Sequence, residues 1–545
     1  MLRIFSKPLH PQLLVGLTAL FLIIFGNNAF FSKLLQTYGT STVSLVQITS
    51  TALLFLAATF VILSLPTFGH MLKPVLALVL LVASQTAYFM DSYEVVINTQ
   101  MIQNVFETNP AEVRDLLSLK QLAYLFVLGV LPSVAIYLLP LRVMPLQQQL
   151  RTKLKTVGVA LTIALILLVS FGRFYASFFR EHKPLRYYSN PLYPLYSLAT
   201  FAGTSPAAAG HKLQPLGADV QIPSERLGRR LIIVVVGEAA RWDHFSLNGY
   251  SRETNPRLRQ ESIINLPAVS SCGTETGVSV PCMFSVFGRR EYDKQKVRST
   301  ENVLDILQRA GVSILWRDNN SDSKGVALRV PYEDFRNSSL NPKCEDGECR
   351  DEGMLVGLQE YIKKHPKGDI MIVLHQMGNH GPAYYKRYPE AFESFTPICT
   401  SNQLEQCSPE SIVNSYDNAL LYTDFFLSKV IDFLKQNDSA FQTAMVYMSD
   451  HGESLGEKGL YLHGFPYAIA PEAQTHVGAL LWFGNSFPVD RQAVQQRAAA
   501  SYSHDYLFHT LLGMVGAQTS VYKTELDILN GLRHEPRTTK LSAQS

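Results

Sequence analysis

The sequence predicts a five-helix transmembrane domain over residues 1–180, a linker over 181–230, and a soluble α/β domain over 231–545. Three observations predict it. Mean hydropathy is +0.06, and 47% apolar with only 17% charged residues among 545 is too apolar for a wholly soluble chain. Residues 1–180 hold 12 basic and 5 acidic side chains, leaving 36 and 40 for the rest, so a part carrying +7 precedes one carrying −4. All six cysteines lie in the second part. The net charge of +3 gives no electrostatic case for nucleic acid, and the apolar content excludes disorder.

Crossing the hydrocarbon core takes roughly 20 mostly apolar residues. Stretches at about 11–31, 44–65, 72–90, 121–141 and 156–179 meet that length. The first is too long for a cleavable signal and is followed by further spans, so it is expected to remain as an anchor. Arg3, Lys7, Lys73, Arg142, Arg151, Lys153 and Lys155 fall in alternate connections, which puts the amino terminus in the cytoplasm. An odd number of spans then exports the remainder, in a bacterium to the periplasm. The six cysteines form three close pairs, Cys272 with Cys282, Cys344 with Cys349 and Cys399 with Cys407, and these read as disulfides in an oxidising compartment. The linker is rich in proline, including Pro184, Pro191, Pro194, Pro206, Pro215 and Pro223, and reads as a tether along the membrane surface.

After residue 230, short β-branched runs alternate with helical patterns, as in a largely parallel sheet. Leu231–Val236 stops at Gly237 and Glu238, Val312–Trp316 at Arg317 to Asn320, Ile370–Leu374 at His375 to His380, and Ala444–Met448 at Ser449 to His451. Ligands bind at that carboxyl edge in open α/β sheets, so these groups are expected to converge. Glu238, Asp450 and His451 offer oxygen and nitrogen donors to a borderline divalent cation, zinc first, with a position left open for chemistry. The hydroxyl-rich loop 270–282 supplies a nucleophile that a metal can activate, and its spacing leaves Thr274 and Thr276 equally eligible.

Several motifs carry a resemblance. Val-Val-Gly-Glu-Ala-Ala-Arg (235–241), Ser-Cys-Gly-Thr (271–274), Val-Pro-Cys-Met-Phe-Ser (280–285), Asn-His-Gly-Pro-Ala-Tyr-Tyr-Lys (379–386), Ser-Asp-His-Gly-Glu-Ser-Leu-Gly-Glu (449–457) and Tyr-Leu-His-Gly (461–464) resemble the phosphoethanolamine transferases that decorate lipid A. That group includes the mobile colistin-resistance enzymes and belongs to the alkaline phosphatase/sulfatase superfamily. Met-Ile-Gln-Asn-Val-Phe-Glu-Thr-Asn (101–109) extends the likeness into the membrane part. The resemblance implies Thr276 as nucleophile, zinc held by Glu238, Thr276, Asp450 and His451, and catalytic or phosphate-binding roles for His380 and His463, or a second zinc there. It implies Ser321 and Lys324 facing the phosphoethanolamine group, and Asn104, Thr108 and Glu112 on the lipid-facing side. It further implies a phosphatidylethanolamine donor, a lipid A or lipopolysaccharide acceptor, polymyxin resistance, and a covalent phosphoethanolamine-threonine intermediate. A monomer in the inner membrane is expected. Core sugars, Kdo or periplasmic glucan are alternative acceptors, and a phosphoglycerol transferase is an alternative within the superfamily. Ala239, Glu275 and Gly277 depart from the residues many relatives carry, and Glu275 is expected to point away from the metal.

Overall fold

The computed structural model describes residues 8–534 except 100, 103–104, 106–115, 173, 176–177, 179–182, 204–212, 224–227, 346 and 403. The chain forms two compact units. In the first, α3 (Thr42–Ser64), α4 (Leu72–Tyr93, extended by a turn from Gly69), α5 (Leu119–Leu138) and α6 (Leu146–Ser170) are each long and apolar enough to cross a membrane. The expected first span is instead a bent pair, α1 (Pro11–Phe25) and α2 (Asn28–Tyr38), turned by 57°, so the spans number four, or five if the pair counts as one. Bending frees backbone groups that lipid cannot satisfy. Two buried asparagines satisfy them. Asn190 Nδ2 donates to Gly26 O at 2.9 Å and to Ala83 O at 2.8 Å, while Asn27 Nδ2 donates to Leu22 O at 2.8 Å and to Asn190 O at 2.6 Å.

Helix α6 begins ten residues before the expected 156, so Arg151, Lys153 and Lys155 lie on its first turns rather than in a loop. Residues 146–155 are mostly Leu, Gln, Arg and Lys, all good helix formers, so the helix outruns its apolar stretch. Within the stretch expected as a tether, Lys183–Tyr188 forms a 3-10 helix and Leu192–Gly203 a helix, α7, both in the first unit.

The second unit is built on seven strands: β1 (Arg230–Gly237), β2 (Ile264–Asn265), β3 (Ser313–Asp318), β4 (Tyr332–Asp334), β5 (Ile370–His375), β6 (Gln442–Ser449) and β7 (Ala479–Phe483). Their order is β2-β7-β6-β1-β5-β3-β4. The run from β6 to β4 is parallel, and β7 pairs antiparallel with both β6 and β2. Every residue of β1 is buried. Ile232, Val234 and Val236 pack with Met283 of α8 (Thr276–Met283), Leu304 of α9 (Val303–Arg309) and Leu511, whereas Leu231, Ile233 and Val235 pack with Leu358 of α10 (Leu358–Lys364) and with Tyr416, Leu420 and Val430 of α11 (Pro409–Asn437). Leu511 lies on the last helix, α12 (Asp505–Met514). Helices on both faces explain why these strands read as unbroken apolar runs. Register levels their ends: Val236 pairs with His375, Gly237 with Ser449, and Asp318 with His375. The residues that follow each strand therefore emerge side by side.

Candidate metal and nucleophile site

Glu238 and Asp450 leave the adjacent strands β1 and β6 at one level. Gly237 is required before Glu238, because a Cβ there would sit 2.6 Å from Tyr447 Oη. The chain then turns through Ala239, whose φ of 53° is left-handed, and Ala239 N donates to Asp450 Oδ1 at 3.1 Å. This turn locks the two carboxylate-bearing loops together. Thr276 is the first residue of α8, where the positive end of the helix favours an ionised hydroxyl. The disulfide Cys272–Cys282 staples the approach loop to the last turn of α8. His504 ties that loop to β6: its Nδ1 accepts from Cys272 N at 3.0 Å and its Nε2 donates to Ser449 O at 2.9 Å. Burial holds His504 down to about 4, so it acts there as a neutral bridge.

The polar atoms converge. Thr276 Oγ1 donates to Glu238 Oε2 at 3.2 Å and lies 3.4 Å from His451 Nε2. His451 Nε2 lies 3.3 Å from Glu238 Oε1 and 3.3 Å from Asp450 Oδ2. Asn320 Nδ2 donates to Glu238 Oε2 at 2.8 Å. Glu238 Oε1 and Asp450 Oδ2 are buried and have no hydrogen-bond partner among the described residues. His451 Nδ1 donates to Gly452 O at 2.8 Å, leaving the Nε2 lone pair toward the carboxylates. Burial, then the charge of Asp450, pushes the Glu238 carboxyl well above the usual carboxylate range. Two acids and an imidazole with unspent lone pairs fit a divalent cation, which offsets the charge that burial penalises.

A second layer surrounds this cluster. The ring of His463 lies 4.2 Å from that of His451, and His463 Nδ1 donates to Glu453 Oε2 at 2.7 Å. Tyr384 Oη donates to the other oxygen of Glu453 at 2.6 Å, so Glu453 is fully engaged in fixing the His463 ring. The His463 loop is bonded to the nucleophile loop through Gly464 N to Thr274 O at 2.8 Å and Thr274 Oγ1 to Phe465 O at 2.6 Å. The Thr274 hydroxyl is thus spent on a carbonyl, and that of Thr276 faces the cluster. The His380 ring lies 6.2 Å from that of His463, and its Nδ1 is enclosed without a partner among the described residues. Burial, then the charges of Arg387 and, more weakly, Lys324, hold His380 well below the usual imidazole range. Ser321 and Lys324 are buried in the loop after β3, whose backbone Asp318 holds through Asn320 N at 3.0 Å and Asp322 N at 3.1 Å.

Comparison with known proteins settles the family. Residues 230–517 match the sulfatase family, and residues 55–205 match the phosphoethanolamine transferases EptA/EptB. The phosphatidylethanolamine transferase Mcr-2 of Escherichia coli is 45% identical over 491 residues, 88% of this chain and 91% of its own. The phosphoethanolamine transferase EptA of Escherichia coli K12 is 40% identical, covering 95% of this chain and 96% of its own. The chain belongs to the phosphoethanolamine transferase family. The integral membrane lipooligosaccharide phosphoethanolamine transferase A of Neisseria meningitidis superposes with a TM-score of 0.93 at 35% identity, over 97% of this chain and 100% of its own.

Of the transferase residues expected from sequence, Glu238, Thr276, Asp450, His451 and His463 come together, with His380 beside His463. Asn104, Thr108 and Glu112 lie outside the described residues. Glu275 is buried but belongs to neither of the two metal-capable groups among the described residues, Glu238 with Asp450 and His451, and His451 with Glu453 and His463. Asp318 and His375, two of the polar residues expected at strand ends, are consumed by each other, with His375 Nδ1 2.8 Å from Asp318 Oδ2. The six cysteines form the three expected disulfides. Asn320, one of the strand-end groups expected at the carboxyl edge, reaches Glu238. Sequence reasoning missed Glu453, Tyr384 and His504 as supporting groups; Glu453, two residues after His451 in the Ser-Asp-His-Gly-Glu run, was within reach of it, and the other two depend on contacts between distant segments.

Proposed function

We propose that this chain is a zinc-dependent enzyme of the bacterial inner membrane that moves phosphoethanolamine from phosphatidylethanolamine to a lipid A phosphate. In this reading residues 1–180 span the membrane with the amino terminus in the cytoplasm, 181–230 connect, and 231–545 work in the periplasm as a monomer. The observation that carries the reading is the Thr276 hydroxyl, 3.2 Å from Glu238 and 3.4 Å from His451, at a helix N-terminus inside a buried cluster with unspent lone pairs. Glu238, Asp450, His451 and Thr276 would hold a zinc ion, which would favour the ionised hydroxyl and offset charge on the phosphoryl oxygens.

Thr276 Oγ, its proton released to solvent, attacks the phosphorus of the donor, the bond from phosphorus to the diacylglycerol oxygen breaks, and that oxygen takes the Nε2 proton of His463 in its imidazolium form, which solvent then restores. A lipid A phosphate oxygen then attacks the phosphoethanolamine-Thr276 ester, and the bond from Thr276 Oγ to phosphorus breaks. Glu453 and Tyr384 keep His463 oriented for the first step. His380, Ser321 and Lys324 line the phosphate side, and Lys324 offsets its charge. The family resemblance also assigns Asn104, Thr108 and Glu112 to lipid binding. Adding an amine to each modified phosphate lowers the negative charge of the outer surface and with it the attraction of polymyxins and other cationic peptides. The test is peptide mass spectrometry of the purified chain after incubation with phosphatidylethanolamine and zinc. A phosphoethanolamine adduct is expected on the peptide carrying Thr276 and absent after chelation; an adduct on another residue, or none during active turnover, overturns the covalent route.

A further inference from the structure

The first unit contains a cavity of about 320 Å³ that the transfer reaction does not use. It opens where α1, α4 and α6 begin: Pro11 and Gln12, Leu72, and Gln149 with Lys153 all line it. None of the three helices has an acidic residue in its first turn, and the side chains that cap them there are neutral or basic, with Gly69 N at the start of the α4 extension donating to Gln149 Oε1 at 3.1 Å. His10, His70, Arg142 and Lys153 line the same space, and among the described residues no Asp or Glu does.

Lys153 is the sharpest feature. It is 6% exposed, its Nζ donates to Thr67 O at 2.9 Å, and it sits 3.2 Å over the Phe68 ring. No carboxylate pairs with it among the described residues, although a buried ammonium is costly without a counter-ion. Arg142 is placed by its backbone, with Arg142 N donating to Leu9 O at 2.9 Å and Leu9 N to Pro140 O at 2.8 Å. Its exposed side chain makes no hydrogen bond or ion pair among the described residues. His10 Nδ1 accepts from Gln12 N at 3.2 Å, which leaves the proton of the neutral ring on Nε2 as a donor. Leu141, Val143 and Met144 supply an apolar side to the wall.

We propose that this cavity binds a phosphate-bearing anion, with Lys153 and Arg142 as its principal counter-charges. The volume suits a headgroup-sized ligand, and basic pockets between membrane helices recognise anionic headgroups. By the orientation proposed above the ligand is presented from the cytoplasmic side. Only the choice of side rests on that orientation, so failure of binding and failure of the topology are separate results.

The test uses the full chain in neutral detergent, at constant ionic strength, titrated with inorganic phosphate or with dioctanoyl phosphatidylglycerol, and followed by thermal unfolding and native mass spectrometry. The exposed-residue variants Arg142→Gln and His70→Gln serve beside Lys153→Met, and Thr276→Ala controls for binding at the catalytic site. Saturable stabilisation is expected, weakened roughly tenfold by Arg142→Gln and unchanged by Thr276→Ala. Saturation by phosphate alone identifies a soluble phosphate as the source, and saturation by phosphatidylglycerol alone identifies a lipid. The absence of saturable binding to either probe, or binding that Arg142→Gln and His70→Gln leave unaltered, overturns the proposal.

Discussion

Replacing Glu238 with Gln is expected to shift stability in opposite directions with and without metal. The candidate ligand atoms of Glu238, Asp450 and His451 lie within 4.8 Å of one another. Two ionised carboxylates at that separation repel by about 3 kcal/mol at an effective dielectric near 20. Burial and the charge of Asp450 push the Glu238 carboxyl upward, which favours its protonated form in the metal-free protein and relieves part of this repulsion. A group whose folded pKa is raised contributes stability that is fully present below its unfolded value, about 4.3, and is lost as pH rises through the folded one. Metal-free wild type therefore weakens as pH rises above the ordinary Glu range, while the Gln variant, which keeps an acceptor for Thr276 and Asn320, does not.

At neutral pH without metal the variant is expected to be more stable by about 1–3 kcal/mol, or roughly 2–6 °C in Tm. With saturating zinc the order reverses, because a lost ligand weakens affinity at least about tenfold, worth about 1.4 kcal/mol or more. Tryptophan fluorescence during thermal unfolding is the assay, since all three tryptophans, Trp242, Trp316 and Trp482, lie in the second unit. A shift of the same sign and size in chelator and in zinc would refute the metal-site reasoning.

Two further outcomes follow from the geometry. Glu453→Gln weakens the orientation of His463 without touching Thr276 and is expected to lower kcat by about 10–100-fold, with Tyr384→Phe showing a smaller loss; steady-state transfer assays that find Glu453→Gln fully active would remove Glu453 from the mechanism. Asn190→Ala removes the amide that donates to the Gly26 and Ala83 carbonyls inside the first unit, while the bonds to Asn27 run through the Asn190 backbone and persist, and is expected to cost about 1–3 kcal/mol. Its check is the yield and thermal unfolding of the purified chain, where a wild-type result would mean that the bend between α1 and α2 needs no such support.

The sheet was legible because strands buried on both faces are unbroken apolar runs, and because register then forces the residues after Val236 and Met448 to one edge. Glu238, Asp450 and His451 needed nothing more. The candidate nucleophile was not legible from spacing: Thr274 and Thr276 are both loop hydroxyls, and only the start of α8 and the distant Phe465 carbonyl separate them. The break in the first span was hidden for a similar reason. Gly26 and Asn27 sit within a tolerable apolar run, and the Asn190 that satisfies them is 163 residues away from Asn27 in sequence. The early start of α6 escaped because its first turns are amphiphilic helix formers that a search for apolar stretches passes over. Helix α7 was masked by its prolines, which suggested a tether where Pro191 and Pro194 stand at a helix start that tolerates them.

Mass spectrometry of lipid A from cells expressing wild type, Thr276→Ala or Thr276→Ser tests the central claim most directly. The account predicts a phosphoethanolamine increment with wild type, its absence with Thr276→Ala at equal protein level, and partial retention with Thr276→Ser. An increment that persists in Thr276→Ala contradicts the nucleophile, and lipid A left unmodified by folded, zinc-loaded wild type contradicts the acceptor.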